Sequence, residues 1–204
     1  MKSKLLTLLA CCLAPVVCAQ TTEERFAAEL AAKSRGIEWI ACDFTETRHV
    51  QVLADDVVRE GRFSYRNPAR MALDFASGDR IVMDGERFVL QAEGRTTTAR
   101  MNSNPMLRQL QTILDACMTG SLDRLRLSGR LEIEPSERGY RLQLVPSARA
   151  AAHYASRIVL SFDRRDMTLD ELRLEQPSGD FTHYRFRNKR LNEPIDEAVF
   201  HVER

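Results

Sequence analysis

Histidine is scarce and scattered in this 204-residue sequence, at His49, His153, His183 and His201. No two of them stand at a helical or strand spacing beside acids, so the usual zinc-site patterns are missing and no metal is expected. Also missing are a Gly-x-Ser-x-Gly elbow, a phosphate-cradling glycine loop and, beyond residue 19, a Cys-x-x-Cys pair. Ser77-Gly78-Asp79 and Ser178-Gly179-Asp180 put a serine near an aspartate, but both triplets fall where the chain needs turns. Asp43 and Glu46 lie three apart on a strand and therefore point to opposite faces, which argues against joint acid and base work. The expectation is a protein that is no enzyme, with no catalytic residue and no cofactor.

Long apolar runs are equally lacking. Leu5 to Val17 is short for a bilayer span, and nothing later stays apolar for roughly 18 residues, so no transmembrane helix is expected. Lys2 and Lys4 precede that stretch, and Val17-Cys18-Ala19 has the small-residue form of a cleavage site. These features predict a cleaved leader over residues 1–19 and an exported single domain over residues 20–204. A competing form, Leu8-Leu9-Ala10-Cys11, resembles a lipoprotein signal that would leave Cys11 acylated. Loss of Lys2 and Lys4 from 30 basic residues leaves 28 against 29 acidic ones, a balance without the electrostatic footprint of a nucleic-acid binder. Of five cysteines, Cys42 and Cys117 lie beyond the leader, where a disulfide can form. Both also read as buried apolar positions, so a bridge and two free thiols stand as alternatives.

What the sequence does hold is alternation. From Cys42 to Leu90 apolar residues recur at every second place, as in Gly61-Phe63-Tyr65 and Met71-Leu73-Phe75, with Arg62, Ser64, Arg70 and Asp74 between them. Asn67-Pro68, Ser77-Gly78-Asp79, Asp84-Gly85 and Glu93-Gly94 punctuate the strands. A helix is predicted from Thr21 to Arg35, ended by Gly36, and then a long strand from Ile37 to Leu53. Arg95 to Met101 reads as a strand, and Asn102 to Pro105 opens a helix to Met118. On that helix Met106, Leu107, Leu110, Ile113, Leu114 and Met118 make one apolar face, which either caps a core or forms a movable lid. Strands are expected again at 125–134, 139–145, 156–163, 167–175, 181–190 and 198–202, with a short helix from Ala148 to Tyr154. The class is mainly β with helices (α+β), an antiparallel sheet of roughly eleven strands curling toward a barrel with one face covered.

Five segments in order resemble the periplasmic LolA-type lipoprotein carrier family. They are Asp43-Phe44-Thr45-Glu46-Thr47, the run Gly61 to Leu73, the Asp-Gly hairpin within Ile81 to Leu90, Asn104-Pro105-Met106-Leu107, and Asn192-Glu193-Pro194-Ile195-Asp196 through Phe200. The resemblance implies an incomplete half-barrel in the periplasm that shelters lipoprotein acyl chains under a helical lid. It implies acylated lipoproteins, an inner-membrane lipoprotein-releasing transporter and an outer-membrane acceptor as partners, with no nucleic acid and a monomeric state. Met71 and Leu73 match the family's large apolar positions. Phe44, Phe63, Tyr65, Val82, Phe88 and the helix face from Met106 to Met118 complete the expected lining. Where the family pattern has arginine before the proline this chain has Asn67, which leaves Arg66 and Arg70 as the nearest substitutes for holding the lid. The alternatives are a membrane-anchored acceptor or another lipid-binding or envelope-sensing protein on the same half-barrel.

Overall fold

Thr21 starts the described chain with a reciprocal cap. Its hydroxyl accepts from the Glu24 N–H at 3.2 Å while the Glu24 carboxylate accepts from the Thr21 N–H at 2.9 Å, which opens helix α1 (Thr22–Ser34) and turns Phe26 and Leu30 inward. The computed structural model describes residues 20–147 and 155–201, without the side chains of Asn102, Pro105 and Met106. The leader expected over residues 1–19 and the helix expected from Ala148 to Tyr154 lie outside the described residues.

After α1 come β1 (Trp39–His49), β2 (Val57–Arg66), β3 (Arg70–Phe75), β4 (Arg80–Asp84), β5 (Arg87–Ala92) and β6 (Arg95–Arg100). A 3₁₀ turn (Met101–Ser103) leads into α2 (Pro105–Thr119) and α3 (Leu122–Ser128). The chain then makes β7 (Gly129–Pro135), β8 (Gly139–Pro146), β9 (Arg157–Asp163), β10 (Leu169–Glu175) and β11 (Phe181–Leu191), and ends in a 3₁₀ turn (Glu197–Phe200). All eleven strands join one open sheet in the order β6-β5-β4-β3-β2-β1-β11-β10-β9-β8-β7. Every pairing is antiparallel, and the long β1–β11 ladder joins the two meanders. The free edges are β6 and β7, so the connection α2–α3 leaves one edge and re-enters at the other.

Four boundaries differ from the sequence expectation. The first strand is shorter at both ends, because the Ile37 N–H turns back to the Ser34 carbonyl at 3.2 Å, Gln51 donates its N–H to Asp180 at 2.9 Å and the Leu53 N–H turns back to the Val50 carbonyl at 2.8 Å. Met101 leaves the strand for the 3₁₀ turn, where it is buried. Residues 125–128, read as the start of a strand, belong to a helix that begins at Leu122. Leu125-Arg126-Leu127 fits a period of two, but Leu122 and Leu125 are buried three apart and Leu127 is 83% exposed. The last segment, read as a strand at 198–202, is the Glu197–Phe200 turn, with the Asp196 carboxylate accepting the Ala198 N–H at 2.9 Å.

The two sheet faces differ. The inner one carries the main core, where Phe26 meets Tyr140 and Phe162 edge to face at 5.1 and 5.3 Å and Phe44 meets Phe75 at 5.1 Å. On the outer face a smaller cluster of Ala72, Val82 and Phe200 is joined by Trp39, Val89, Ile195 and Val199, as residues 192–201 strap across β2 to β5. Gly61 is required by close approach, since a Cβ there would stand 2.3 Å from the Asp74 carbonyl oxygen and 2.8 Å from the Phe44 ring. Gly61→Ala is expected to destabilise the fold by about 1–3 kcal/mol, seen as a lower urea midpoint at unchanged slope.

Candidate functional site

The site lies between the inner face and α2. Strand alternation places Phe44, Phe63, Tyr65, Met71 and Leu73 on that face, and the three-and-four spacing of α2 sets Leu107, Ile113, Leu114 and Met118 against them, all buried in one cluster. Phe88 and Leu110 join it from partly exposed positions. Met106 lies on α2, and its side chain is outside the description. Tyr65, Met71 and Ile113 have no solvent exposure. The wall is therefore closed by its own side chains beneath α2. The hollows of about 680 and 580 Å³ are lined largely by charged and polar residues such as Asp43, Arg185, Arg187 and Asn188.

Val82 does not belong to this wall. It stands in register with Ala72 and Val89 on the outer face, under Phe200. Ile81-Val82-Met83 is apolar on both faces, so alternation alone does not orient it, and it is Ile81 and Met83 that look inward. The strands of the second meander are among those expected, but the expected lining leaves out their Leu142, Leu144, Leu160 and Leu172, which belong to the same core. Their signal was present in Tyr140-Leu142-Leu144 and Ile158-Leu160-Phe162.

Arg66, Asn67 and Arg70, expected to hold a lid, make their bonds away from α2. Arg66 pairs with Glu197 and lies 4.6 Å from the Trp39 ring centroid, while Arg70 reaches Glu197 at 3.0 Å and Asp84 at 3.2 Å. Asn67 donates its N–H to the Glu38 carbonyl at 2.9 Å and precedes a cis proline. Arg66 and Arg70 secure the strap, because even-numbered positions of β2 and β3 face outward, and Asn67 lies in the turn between the two strands. The contact with α2 comes from the neighbouring inward residue. The Tyr65 hydroxyl donates to Asp115 at 3.4 Å, and Arg124 of α3 pairs with the same carboxylate. Gln111 adds a bond from its side-chain N–H to the Gly85 carbonyl at 3.1 Å. Burial, and then the Asp115 charge, push the Tyr65 hydroxyl well above the usual phenol range.

One polar group stands within the apolar wall. Glu46 is 4% exposed, accepts from Arg59 Nε at 2.6 Å and accepts from the Tyr184 hydroxyl at 2.9 Å. Burial followed by the Glu46 charge pushes the Tyr184 hydroxyl well up. Cys42 and Cys117 are buried free thiols. Burial raises Cys42 to about 12 and Cys117 further still. Among the described residues no group of three or more His, Cys, Asp or Glu side chains is placed to hold a metal ion. No described helix is long and apolar enough to cross a membrane.

Two outcomes are expected from this geometry. Asp115→Ala removes the acceptor of Tyr65 and the partner of Arg124, so amide exchange along α2 should quicken roughly fivefold, about 1 kcal/mol, with little change in β1 and β11. Cys42 and Cys117 should resist alkylation in the native protein and react on denaturation, as read by mass spectrometry of their peptides.

The family model described as "Outer membrane lipoprotein carrier protein LolA" matches residues 35–203. No curated protein matches the chain. Among solved structures, a putative outer membrane lipoprotein-sorting protein domain from Vibrio parahaemolyticus is 10% identical, with 86% of this chain and 94% of that one covered at a TM-score of 0.50. A DUF1329 family protein from Desulfovibrio piger is 13% identical, with 87% and 95% covered at a TM-score of 0.50. An uncharacterized conserved protein from Thermus thermophilus is 10% identical, with 90% and 95% covered, again at 0.50. Identities this low speak for the fold.

Proposed function

The chain belongs to the LolA outer membrane lipoprotein carrier family, and from that premise we propose that it is a periplasmic carrier that shields lipoprotein acyl chains between the inner and outer membranes. The observation that carries this reading is an apolar sheet face covered by α1, α2 and α3. Each methylene kept from water is worth roughly 0.8 kcal/mol, so a free acylated protein does not cross an aqueous gap unaided, and a protein wall can shelter its chains without any reaction. Release is as necessary as capture. The polar ties of α2 to the sheet, Tyr65 to Asp115 and Gln111 to Gly85, are of a kind worth about 1 kcal/mol each, and acyl chains can replace the apolar contacts of Ile113 and Leu114. Two lid positions of similar energy follow, so that cargo binding and lid opening exchange one apolar contact for another. In this role the chain receives acylated lipoproteins from an inner-membrane lipoprotein-releasing transporter and passes them to an outer-membrane acceptor, acting as a monomer with no chemical step.

Purification from the native host without detergent, followed by mass analysis, is expected to show bound acyl cargo, and addition of the purified protein should release acylated lipoproteins from inner-membrane preparations. A protein that is empty and without affinity for acylated peptides would overturn the reading. Ile113→Asp, which sets a charge in the lid where the chains would lie, should abolish release.

A further inference from the structure

Glu46 and Arg59 face each other across the β1–β2 ladder, on the same side as Phe44 and Phe63. Burying the carboxylate of an ion pair is a poor device for stability, because hydrophobic residues of similar volume usually serve as well or better once desolvation is counted. An apolar wall that keeps such a pair therefore has another use for it. Its geometry is well defined. Arg59 binds Glu46 through Nε and Nη2, lies 4.1 Å from the Phe75 ring centroid and extends Nη1 to Asp79 at 3.5 Å, while Tyr184 holds the second Glu46 oxygen. The carboxylate and the ring orient the guanidinium, and the carboxylate itself is hidden: the Arg59 side chain is 36% exposed and that of Glu46 only 5%.

The position along the wall is equally telling. β4 runs from Arg80 to Asp84, so Asp79 and Gly85 mark opposite ends of the half-barrel. Gln111 ties α2 at the Gly85 end, and Arg59 stands at the other. There the apolar wall runs out toward solvent through the partly exposed Ile81, Leu174 and Tyr184. Among the described residues only Glu46 and Asp79 accept from Arg59, which leaves guanidinium N–H donors for a ligand.

We propose that Arg59, oriented by Glu46 and Phe75, binds the carbonyl oxygens of ester-linked acyl chains, so that the hydrocarbon lies along the inner wall while its polar linkage stops at this end. The proposal rests on the acyl-carrier reading and gives it a substrate class, acyl esters in preference to plain alkyl chains. A carbonyl oxygen is an acceptor without charge, which suits a guanidinium already neutralised by its carboxylate. A lipoprotein diacylglyceryl group and a phospholipid share this ester chemistry.

The test compares binding of a diacylglyceryl-cysteine lipopeptide with that of its dialkyl ether analogue of equal chain length, with diester phosphatidylethanolamine as a third ligand. The native protein should favour ester over ether roughly tenfold, the range of one charge-assisted hydrogen bond. Glu46→Gln combined with Arg59→Met removes both charges together, so that no buried charge is left alone, and should bring the ratio close to one while ether binding persists. Arg59→Lys keeps the pair but not the planar fork and should give an intermediate ratio at native melting temperature, which separates recognition from folding. Tighter binding of the lipopeptide than of the phospholipid assigns the ester to lipoprotein, and the reverse order assigns it to phospholipid. An ester-to-ether ratio near one in the native protein, or a high ratio that survives in the double variant, overturns the proposal and leaves the carrier reading standing. Failure of every ligand to bind the native protein removes both.

Discussion

The structure depends on covering one apolar sheet face that belongs to an open sheet. A closed barrel would bury such a face on itself, but here β6 and β7 remain unpaired edges, so the cover must come from elsewhere in the chain. Helix α1 supplies part of it through Phe26 and Leu30 over the second meander, and the connection from β6 to β7 supplies the rest. Because that segment leaves at one edge and returns at the other, it has to cross the inner face, and its apolar stripe makes the crossing favourable. The helical cover and the wall are thus consequences of one topology.

The outer face meets the opposite demand. Arg80, Asp74, Arg62, Asp43 and Arg187 stand in register across five neighbouring strands with alternating sign, which keeps that side wetted and discourages stacking against another sheet. Only toward β4 and β5 does apolar surface appear there, and the strap of residues 192–201 covers it with Ile195, Val199 and Phe200. Arg66 and Arg70 grip Glu197 and pin the strap in place. Residues that look like lid fasteners by their nearness to Pro68 therefore serve the opposite side of the sheet.

Closure on the inner side combines strong, unspecific burial with a few polar ties. Burial at Ile113, Leu114 and Met118 can be replaced in kind by hydrocarbon, whereas the ties of Tyr65 and Gln111 have no substitute in an acyl chain. On the proposed carrier reading, the apolar contacts would set how readily cargo competes with α2, and the polar ties would define its closed position. Glu46, Arg59 and Tyr184 form a third element, a fixed polar boundary at the end of the wall away from Gly85.

Much of this was legible in the sequence because it is local. Period two, turn residues such as Asp84-Gly85, and the three-and-four spacing of Leu107 to Met118 each act within a few residues, and they determined the strands, the hairpins, α2 and most of the wall from Phe44 to Leu73. Tertiary structure alone decided the rest. Leu125-Arg126-Leu127 satisfies two periods until packing selects the helix, and Val82 lies in a strand apolar on both sides, whose orientation depends on a strap more than a hundred residues away. Arg66 and Tyr65 are adjacent in the chain yet serve opposite faces, and Glu46 found its use only when Arg59 and Tyr184 converged on it. The physical reason is common to all four: alternation states that the two faces of a strand differ, while what covers each face is set by distant segments that no local pattern encodes.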